Sequence, residues 1–152
     1  MFLSIKKIPV VDWSSKETFN FKPKISTFSY LCFGLMLFGF GEALLVVSTT
    51  GNSPWTVLAE GASIITDLSI GVATFFISVG VLSLWFFLKQ KPGLGTIMNI
   101  IIIAIMLDIT IHLVGSPSSL ISQYFLAILG VFLVGLGSGF YLTANLGPGP
   151  RD

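Results

Sequence analysis

The sequence predicts an all-α protein, a polytopic transmembrane bundle of about four spans plus one short interfacial or re-entrant helix. Hydrophobic residues make up 53% of the chain and charged residues only 10%, whereas a water-soluble domain carries about a quarter charged residues. Four apolar stretches approach the roughly 20 residues that a helix needs to cross the hydrocarbon core. The basic residues also fall between these stretches in a pattern that agrees with four crossings.

The chain divides into a basic N-terminal segment, residues 1–24, and a transmembrane domain, residues 25–152. We predict no cleavable signal peptide, because the apolar run after the basic segment is too long and lacks a small-residue cleavage site. The predicted spans are Ile25–Ser48, Ile70–Leu88, Ile97–Val114 and Leu120–Thr143. The stretch Pro54–Thr66 is apolar but too short to span. We expect it to lie at the interface or to enter the protein from one side.

Basic residues predict the orientation of the chain. Five lysines lie in the N-terminal segment, Lys89 and Lys91 lie between the second and third spans, and Arg151 follows the fourth. The connections Thr49–Ser69 and Gly115–Ser119 contain no Lys or Arg. All eight basic residues therefore fall on one face if the chain crosses four times. The positive-inside rule makes this face cytoplasmic and predicts a multi-pass protein of the plasma (inner) membrane.

An internal repeat appears when the chain is aligned with itself at an offset of 96 residues. The matched pairs are Gly34 with Gly130, Leu37 with Leu133, Gly39 with Gly135, Gly41 with Gly137, Gly51 with Gly147, and Pro54 with Pro150. Each copy is a glycine-striped helix that leads into a Gly-x-x-Pro turn. The second copy lies three crossings after the first, so it is inverted in the membrane. Inverted repeats are typical of secondary transporters, whose sites lie at the repeat interface near broken helices.

The first turn has two interpretations. Asn52 or Ser53 can cap a helix that begins at Pro54, and the free N–H groups of such a helix start can face a ligand, often an anion. Alternatively, the turn only ends the first span at the interface. The glycines favour close helix packing over ligand contact. For Gly135 and Gly139, which form a GxxxG pair, we predict the same packing role.

Polar residues within the spans are the candidate substrate-binding or coupling residues. Glu42 and Asp108 each lie about six residues from the predicted outer end of a span, and His112 follows Asp108 by one helical turn. Ionisable groups inside a membrane are costly and face the bundle interior, so they can relay a proton or hold a cation. In the alternative reading, Asp108 pairs with His112 and Glu42 is protonated or binds a loop donor. Asn99 is more typical of a contact between helices.

Three stretches resemble the YczE/YyaS/YitT group of bacterial membrane proteins. They begin at Gly51 (GNSPWTVL), at Lys91 (KPGLGTIMN) and at Gly137, and the last ends in Asn145-Leu-Gly-Pro-Gly-Pro-Arg-Asp152. The group is largely uncharacterised, so the resemblance implies a topology and a bacterial membrane but no activity. It also implies about two further helices after the second turn. In an intact repeat Arg151 would stand at a helix start on the rim of a cavity, where an anionic substrate would meet it; alternatively it only sets the orientation of the chain. Arg151 and Asn145, from the same stretch, are added to the candidate residues.

No enzyme is predicted, because the sequence lacks nucleotide-binding, metalloprotease and nucleophile motifs. No cofactor is expected, and the single cysteine, Cys32, excludes a cysteine-based metal site. The N-terminal lysines are mixed with acids beside a span, which favours lipid headgroups over nucleic acid as their partner. Two functions remain. One is a transporter, or half of one, for an unknown small solute. The other is a non-transporting accessory or scaffold protein that binds a partner, or forms a homo-oligomer, through its small-residue helix faces.

Overall fold

The computed structural model describes residues 10–150, and within them the protein is entirely helical. Five α-helices follow one another, namely α1 (Ile25–Ser48), α2 (Pro54–Thr66), α3 (Ile70–Phe87), α4 (Leu94–Val114) and α5 (Leu120–Thr143). All except α2 are long and apolar enough to cross a membrane. The predicted fold class is therefore confirmed, since residues 10–150 form four candidate spans and one short helix between the first two.

The helix bounds differ from the predicted ones at two places only. Helix α3 ends one residue early, with Leu88 as its C-cap. Helix α4 begins at Leu94, three residues before the predicted start at Ile97. The Thr96 hydroxyl accepts a hydrogen bond of 3.0 Å from the Gly93 amide. This bond satisfies one of the free amides that a helix start leaves, so the helix extends back through a glycine-rich stretch that composition alone does not identify as helical.

Helix α1 is the centre of the bundle. It packs against α5 on one side and α4 on another, while α3 packs on α4 and α2 packs on α3. In the apolar window of α1, 61% of the residues are buried, against 17% in α5. Most of α5 therefore faces outward, and its main partner is α1.

Glycines set the contact between α1 and α5. A Cβ atom at Gly34 would lie 2.9 Å from the Gly137 carbonyl oxygen, and one at Gly41 would lie 2.7 Å from that of Gly130. Because the earlier residue of α1 meets the later residue of α5, the two helices run antiparallel. The prediction that Gly34, Gly39 and Gly41 serve packing is confirmed, although Gly39 faces α4 instead of α5. Gly135 and Gly139 have no other helix against them among the described residues, because nothing outside α5 lies within 4 Å of a Cβ placed at either, and their packing role stays a prediction.

The N-terminal segment folds onto the end of α5. The Ser14 hydroxyl donates to the Thr143 carbonyl oxygen (2.6 Å), and the Ser15 amide donates to the Ala144 carbonyl oxygen (3.0 Å). The ring of Trp13 packs against that of Tyr30 on α1, with the ring centroids 4.5 Å apart and the planes tilted by 33°. We call this end of the bundle the N-terminal face and the end that carries α2 the opposite face.

Asn145 is expected to fasten this segment. Its Nδ2 donates to the Ser15 carbonyl oxygen (2.9 Å), its Oδ1 accepts from the Thr18 hydroxyl (3.1 Å), and its φ of 52° is one that Asn tolerates better than most residues. Asn145→Ala removes both bonds and strains the turn, so hydrogen exchange of residues 10–24 should accelerate by about tenfold. Asn20→Ala is the control, because its bonds stay within the segment. Equal exchange in the two variants would contradict this role.

Candidate functional site

The first cluster of candidate residues lies where α2 begins. Glu42 on α1 is only 3% exposed. Its carboxylate accepts hydrogen bonds from the hydroxyls of Ser53, at 3.0 Å, and Thr56. Ser53 is the N-cap of α2 and accepts the Thr56 amide at 3.3 Å, with Pro54 at the first helical position. The acid therefore lies at the positive end of α2 and fixes the start of this helix to α1.

Of the two predicted caps, Ser53 caps α2 and Asn52 does not. Asn52 turns its Nδ2 to Glu60, two turns along α2, and donates a hydrogen bond of 2.7 Å to its carboxylate. Among the described residues its buried Oδ1 has no partner. Asn52 therefore links the turn to the side of α2 through its hydrogen bond to Glu60, while Ser53 links the start of the helix to Glu42.

The second cluster lies where α3 begins. Asp108 on α4 accepts a hydrogen bond of 2.6 Å from the Ser69 hydroxyl and one of 2.7 Å from the Gly71 amide. Ser69 is the N-cap of α3 and accepts the Val72 amide. A Cβ atom at Gly71 would overlap the Ala104 carbonyl oxygen. Only glycine at this position lets α3 approach α4 closely enough for Asp108 to reach the helix start.

His112 shares an open groove with Asp108. The groove has a volume of about 640 Å³ and lies on the opposite face, and its polar lining consists of Ser63, Ser69, Asp108 and His112. His112 is exposed. The alternative pairing of Asp108 with His112 is not observed, because the Asp108 oxygens bind Ser69 and Gly71 instead. The groove therefore offers an anchored carboxylate and an unanchored imidazole to a molecule that enters from this side.

The two acids occupy equivalent chemical positions in separate clusters. Each accepts hydrogen bonds from an N-cap serine and from one further donor within the first turn of a following helix. The sequence interpretation missed Thr56, Ser69 and Gly71. Ser69 carried a detectable signal, because a serine directly before an apolar helical run is a common N-cap. Nothing local in the sequence indicates that its partner is an acid 39 residues later.

The remaining candidate residues lie away from these clusters. Asn145 is on the N-terminal face with Ser15 and Thr18, and Arg151 lies outside the described residues. Asn99 is buried in α4, and its Nδ2 has no hydrogen-bond partner among the described residues. Within residues 10–150 no three His, Cys, Asp or Glu side chains are grouped in a way that could hold a metal ion.

The turns after α1 and α5 share two positions with positive φ, the first of which also occurs after α2 and α3, at Asp67 and Lys89. Thr49 has a φ of 56° and Asn145, 96 positions later, has a φ of 52°. The same offset joins Gly51, with a φ of 154°, to Gly147, with a φ of 108°. The second turn packs on the start of α4, where the Gly95 amide donates to the Leu146 carbonyl oxygen (2.7 Å). Two of the stretches that carry the family resemblance are therefore in direct contact.

Comparison with known proteins matches residues 25–152 to a family described as "Family of unknown function (DUF6198)". A Haemophilus influenzae "Uncharacterized protein" is 40% identical over 148 residues, which are 97% of this chain and 67% of the relative. The Bacillus subtilis "Uncharacterized membrane protein YczE" is 31% identical over 123 residues, or 78% of this chain and 56% of the relative.

The Bacillus subtilis "Uncharacterized protein YyaS" is 29% identical over 129 residues, or 82% of this chain and 64% of the relative. These matches confirm the resemblance to YczE and YyaS. The matched part of the chain spans between 56% and 67% of the lengths of these relatives. No solved structure matches the chain.

Proposed function

Because this chain belongs to the DUF6198 family of membrane proteins, whose function is unknown, we propose its role from geometry, as a small-solute transporter or half of one. The observation that carries the proposal is the pairing of α1 with α5. Gly34 contacts Gly137, and Gly41 contacts Gly130. At the offset of 96, Gly34 is equivalent to Gly130 and Gly41 is equivalent to Gly137, so the two contacts are equivalent to each other. Two antiparallel helices with such reciprocal contacts are what an inverted repeat produces about a two-fold axis in the membrane plane.

The matched turns support the same reading. Thr49 and Asn145 have a positive φ at equivalent positions, as Asp67 and Lys89 also have after α2 and α3. Among the described residues only the first two are followed, two positions later, by a glycine with positive φ. In the first copy the turn leads to α2, a thirteen-residue helix whose N-cap Ser53 is hydrogen-bonded to the buried Glu42. A short helix that begins beside a buried acid resembles the broken helices that surround transporter sites.

In the proposed mechanism the solute enters the groove beside α3 from the outer side, with the basic N-terminal face in the cytoplasm. Asp108 is the coupling residue. Its carboxylate is anchored to α3 through Ser69 and Gly71, so binding of a proton or cation there weakens the tie between α3 and α4. His112 at the rim of the groove is the proposed first contact for the solute.

Transport is tested in proteoliposomes that contain a pH-sensitive dye. A panel of small solutes is offered to this chain and to its Haemophilus relative, and solute-dependent proton movement is recorded. We expect Asp108→Asn to reduce the flux by about a hundredfold or more, since loss of a proton-carrying group stops coupling. Asp67→Asn is the control, because Asp67 is a surface acid at the end of α2. The proposal fails if no solute produces flux with either protein, or if Asp108→Asn retains the normal rate.

One observation favours the accessory role as the second candidate. The hydrogen bonds of Glu42 and Asp108 to helix starts explain both acids structurally, without a solute. Under this alternative the protein binds a membrane partner through an open helix face and transports no solute. Asp108→Asn then lowers the stability of the protein, and no flux is seen with or without the substitution.

A further inference from the structure

Two faces of α1 and α5 that are equivalent in the internal repeat differ in burial: the face on α1 is covered and the face on α5 is exposed. On α1, Leu35, Gly39 and Ala43 follow one another at four-residue intervals and are all buried. At the repeat offset they correspond to Val131, Gly135 and Gly139 of α5, all of which are exposed. Leu35 is 0% exposed and Val131 is 63% exposed. One face is therefore filled and its counterpart is open.

Helix α4 fills the face on α1. A Cβ atom at Gly39 would lie 2.7 Å from the Met106 Cβ and 3.2 Å from the Ile103 Cα. Leu35 and Ala43 belong to the same buried cluster as Ile103 and Leu107. At Gly135 no described residue outside α5 lies within 4 Å of the corresponding position. Gly39, where α4 packs closely on α1, therefore has an equivalent on α5, Gly135, against which no helix packs.

We propose that Val131, Gly135 and Gly139 of α5 form a docking surface for a transmembrane helix equivalent to α4. The helix lies on α5 as α4 lies on α1, with large aliphatic side chains over Gly135, where Ile103 and Met106 lie over Gly39. In the longer relatives we assign this helix to the part that the present sequence does not match. The proposal rests on the internal repeat and does not depend on transport activity.

The length of the relatives supports this occupant. The 148 matched residues are 67% of the Haemophilus protein, which leaves about 73 residues unmatched. In this chain the helices that follow the first turn, α2 to α4, occupy residues 54–114, which is 61 residues. The unmatched part is therefore long enough for equivalents of all three helices. A second copy of this chain fits less well, because its α4 is already seated on its own α1.

The experiment co-expresses this chain with the unmatched segment of the Haemophilus relative, which carries an epitope tag. The photo-crosslinker p-benzoyl-phenylalanine is placed at Val131, or as a control at Phe76 of α3, whose exposure of 60% matches the 63% of Val131. Both polypeptides are first confirmed in the membrane fraction. Irradiation is expected to join the tagged segment to the chain from Val131 and not from Phe76.

A second pair of variants tests the glycine contact. Gly135→Leu should lower the yield of the Val131 adduct on the order of tenfold, since close packing over glycine stabilises helix pairs in membranes. Gly80→Leu should leave it unchanged, because Gly80 on α3 is equally open. The proposal is overturned if the Val131 adduct joins two copies of this chain, if no adduct with the segment forms, or if Phe76 gives an equal yield.

Discussion

Leucine at Gly137 is expected to prevent α1 and α5 from packing, with the largest loss of stability of any substitution considered. A Cβ atom at Gly137 would lie 2.6 Å from the Gly34 carbonyl oxygen and 2.6 Å from the Phe38 amide nitrogen. Both are backbone atoms of α1, so neither can move unless the helix moves. Overpacking costs about 1–3 kcal/mol where side chains can adjust, and more where they cannot. We expect Gly137→Leu to lower the free energy of unfolding by at least about 3 kcal/mol.

Gly80→Leu is the matched control, because it makes the same chemical change within a span, at a position where no other part of residues 10–150 lies within 4 Å of the added Cβ. Thermal unfolding in detergent, followed by size-exclusion chromatography with fluorescence detection, compares the two variants. The control should unfold within a few degrees of the unaltered protein, as surface substitutions usually change stability by less than about 0.5 kcal/mol. Similar losses in both variants would show that leucine itself, and not the α1–α5 crossing, is the cause.

The helices could be predicted closely because the membrane determines their length. An apolar run ends where the chain must leave the hydrocarbon, so hydrophobicity alone placed Ile25–Ser48 and Leu120–Thr143 where the structure has them. The start of α4 was missed because it depends on a hydrogen bond between Gly93 and Thr96. Glycine-rich sequence lowers helix propensity, so only the bond indicates that the helix already begins at Leu94.

The partners of the polar residues could not be predicted from the sequence. Glu42 and Asp108 were identified because charges inside a span are rare, but their partners depend on where the connections return. Ser69 lies 39 residues before Asp108. The close crossing of α3 and α4 that brings them together is possible because glycine at position 71 has no side chain. Similarly, the stripe of glycines on α1 indicated close packing without indicating that Gly39 and Gly41 face different helices.

Alanine at Glu42 is expected to detach the start of α2. The substitution removes the acceptor that the hydroxyls of Ser53 and Thr56 share, and with it the negative charge at the positive end of the helix. The two hydroxyls lie 3.0 Å apart and can still bond to each other, so one donor loses its partner, at a cost of about 1–3 kcal/mol. We therefore expect Glu42→Ala to lower the free energy of unfolding by about 2–4 kcal/mol. The amides of residues 54–66 should also exchange with solvent faster.

Two further variants separate the parts of this effect. Glu42→Gln keeps a carbonyl oxygen as acceptor but removes the charge, so its loss of stability should be smaller than that of Glu42→Ala. Glu60→Ala is the control on α2 itself, since the Glu60 carboxylate accepts a hydrogen bond from Asn52 and not from the N-cap of the helix. Hydrogen exchange across α2 and thermal unfolding are measured for all three. An equal loss in Glu42→Ala and Glu60→Ala would contradict the role of Glu42 as the anchor of α2.

The same variants test the function of Glu42. Glu42→Gln has different effects on transport if Glu42 only anchors α2 and if it carries the coupled proton. If Glu42 only holds α2, Glu42→Gln retains flux in the proteoliposome assay in proportion to the protein that remains folded. If the proton on Glu42 is part of transport, Glu42→Gln abolishes flux although α2 keeps its protection from exchange. The two acids accept equivalent hydrogen bonds from the starts of successive helices. Opposite outcomes for Glu42→Gln and Asp108→Asn would therefore assign coupling to the groove beside α3 and a structural role to the start of α2.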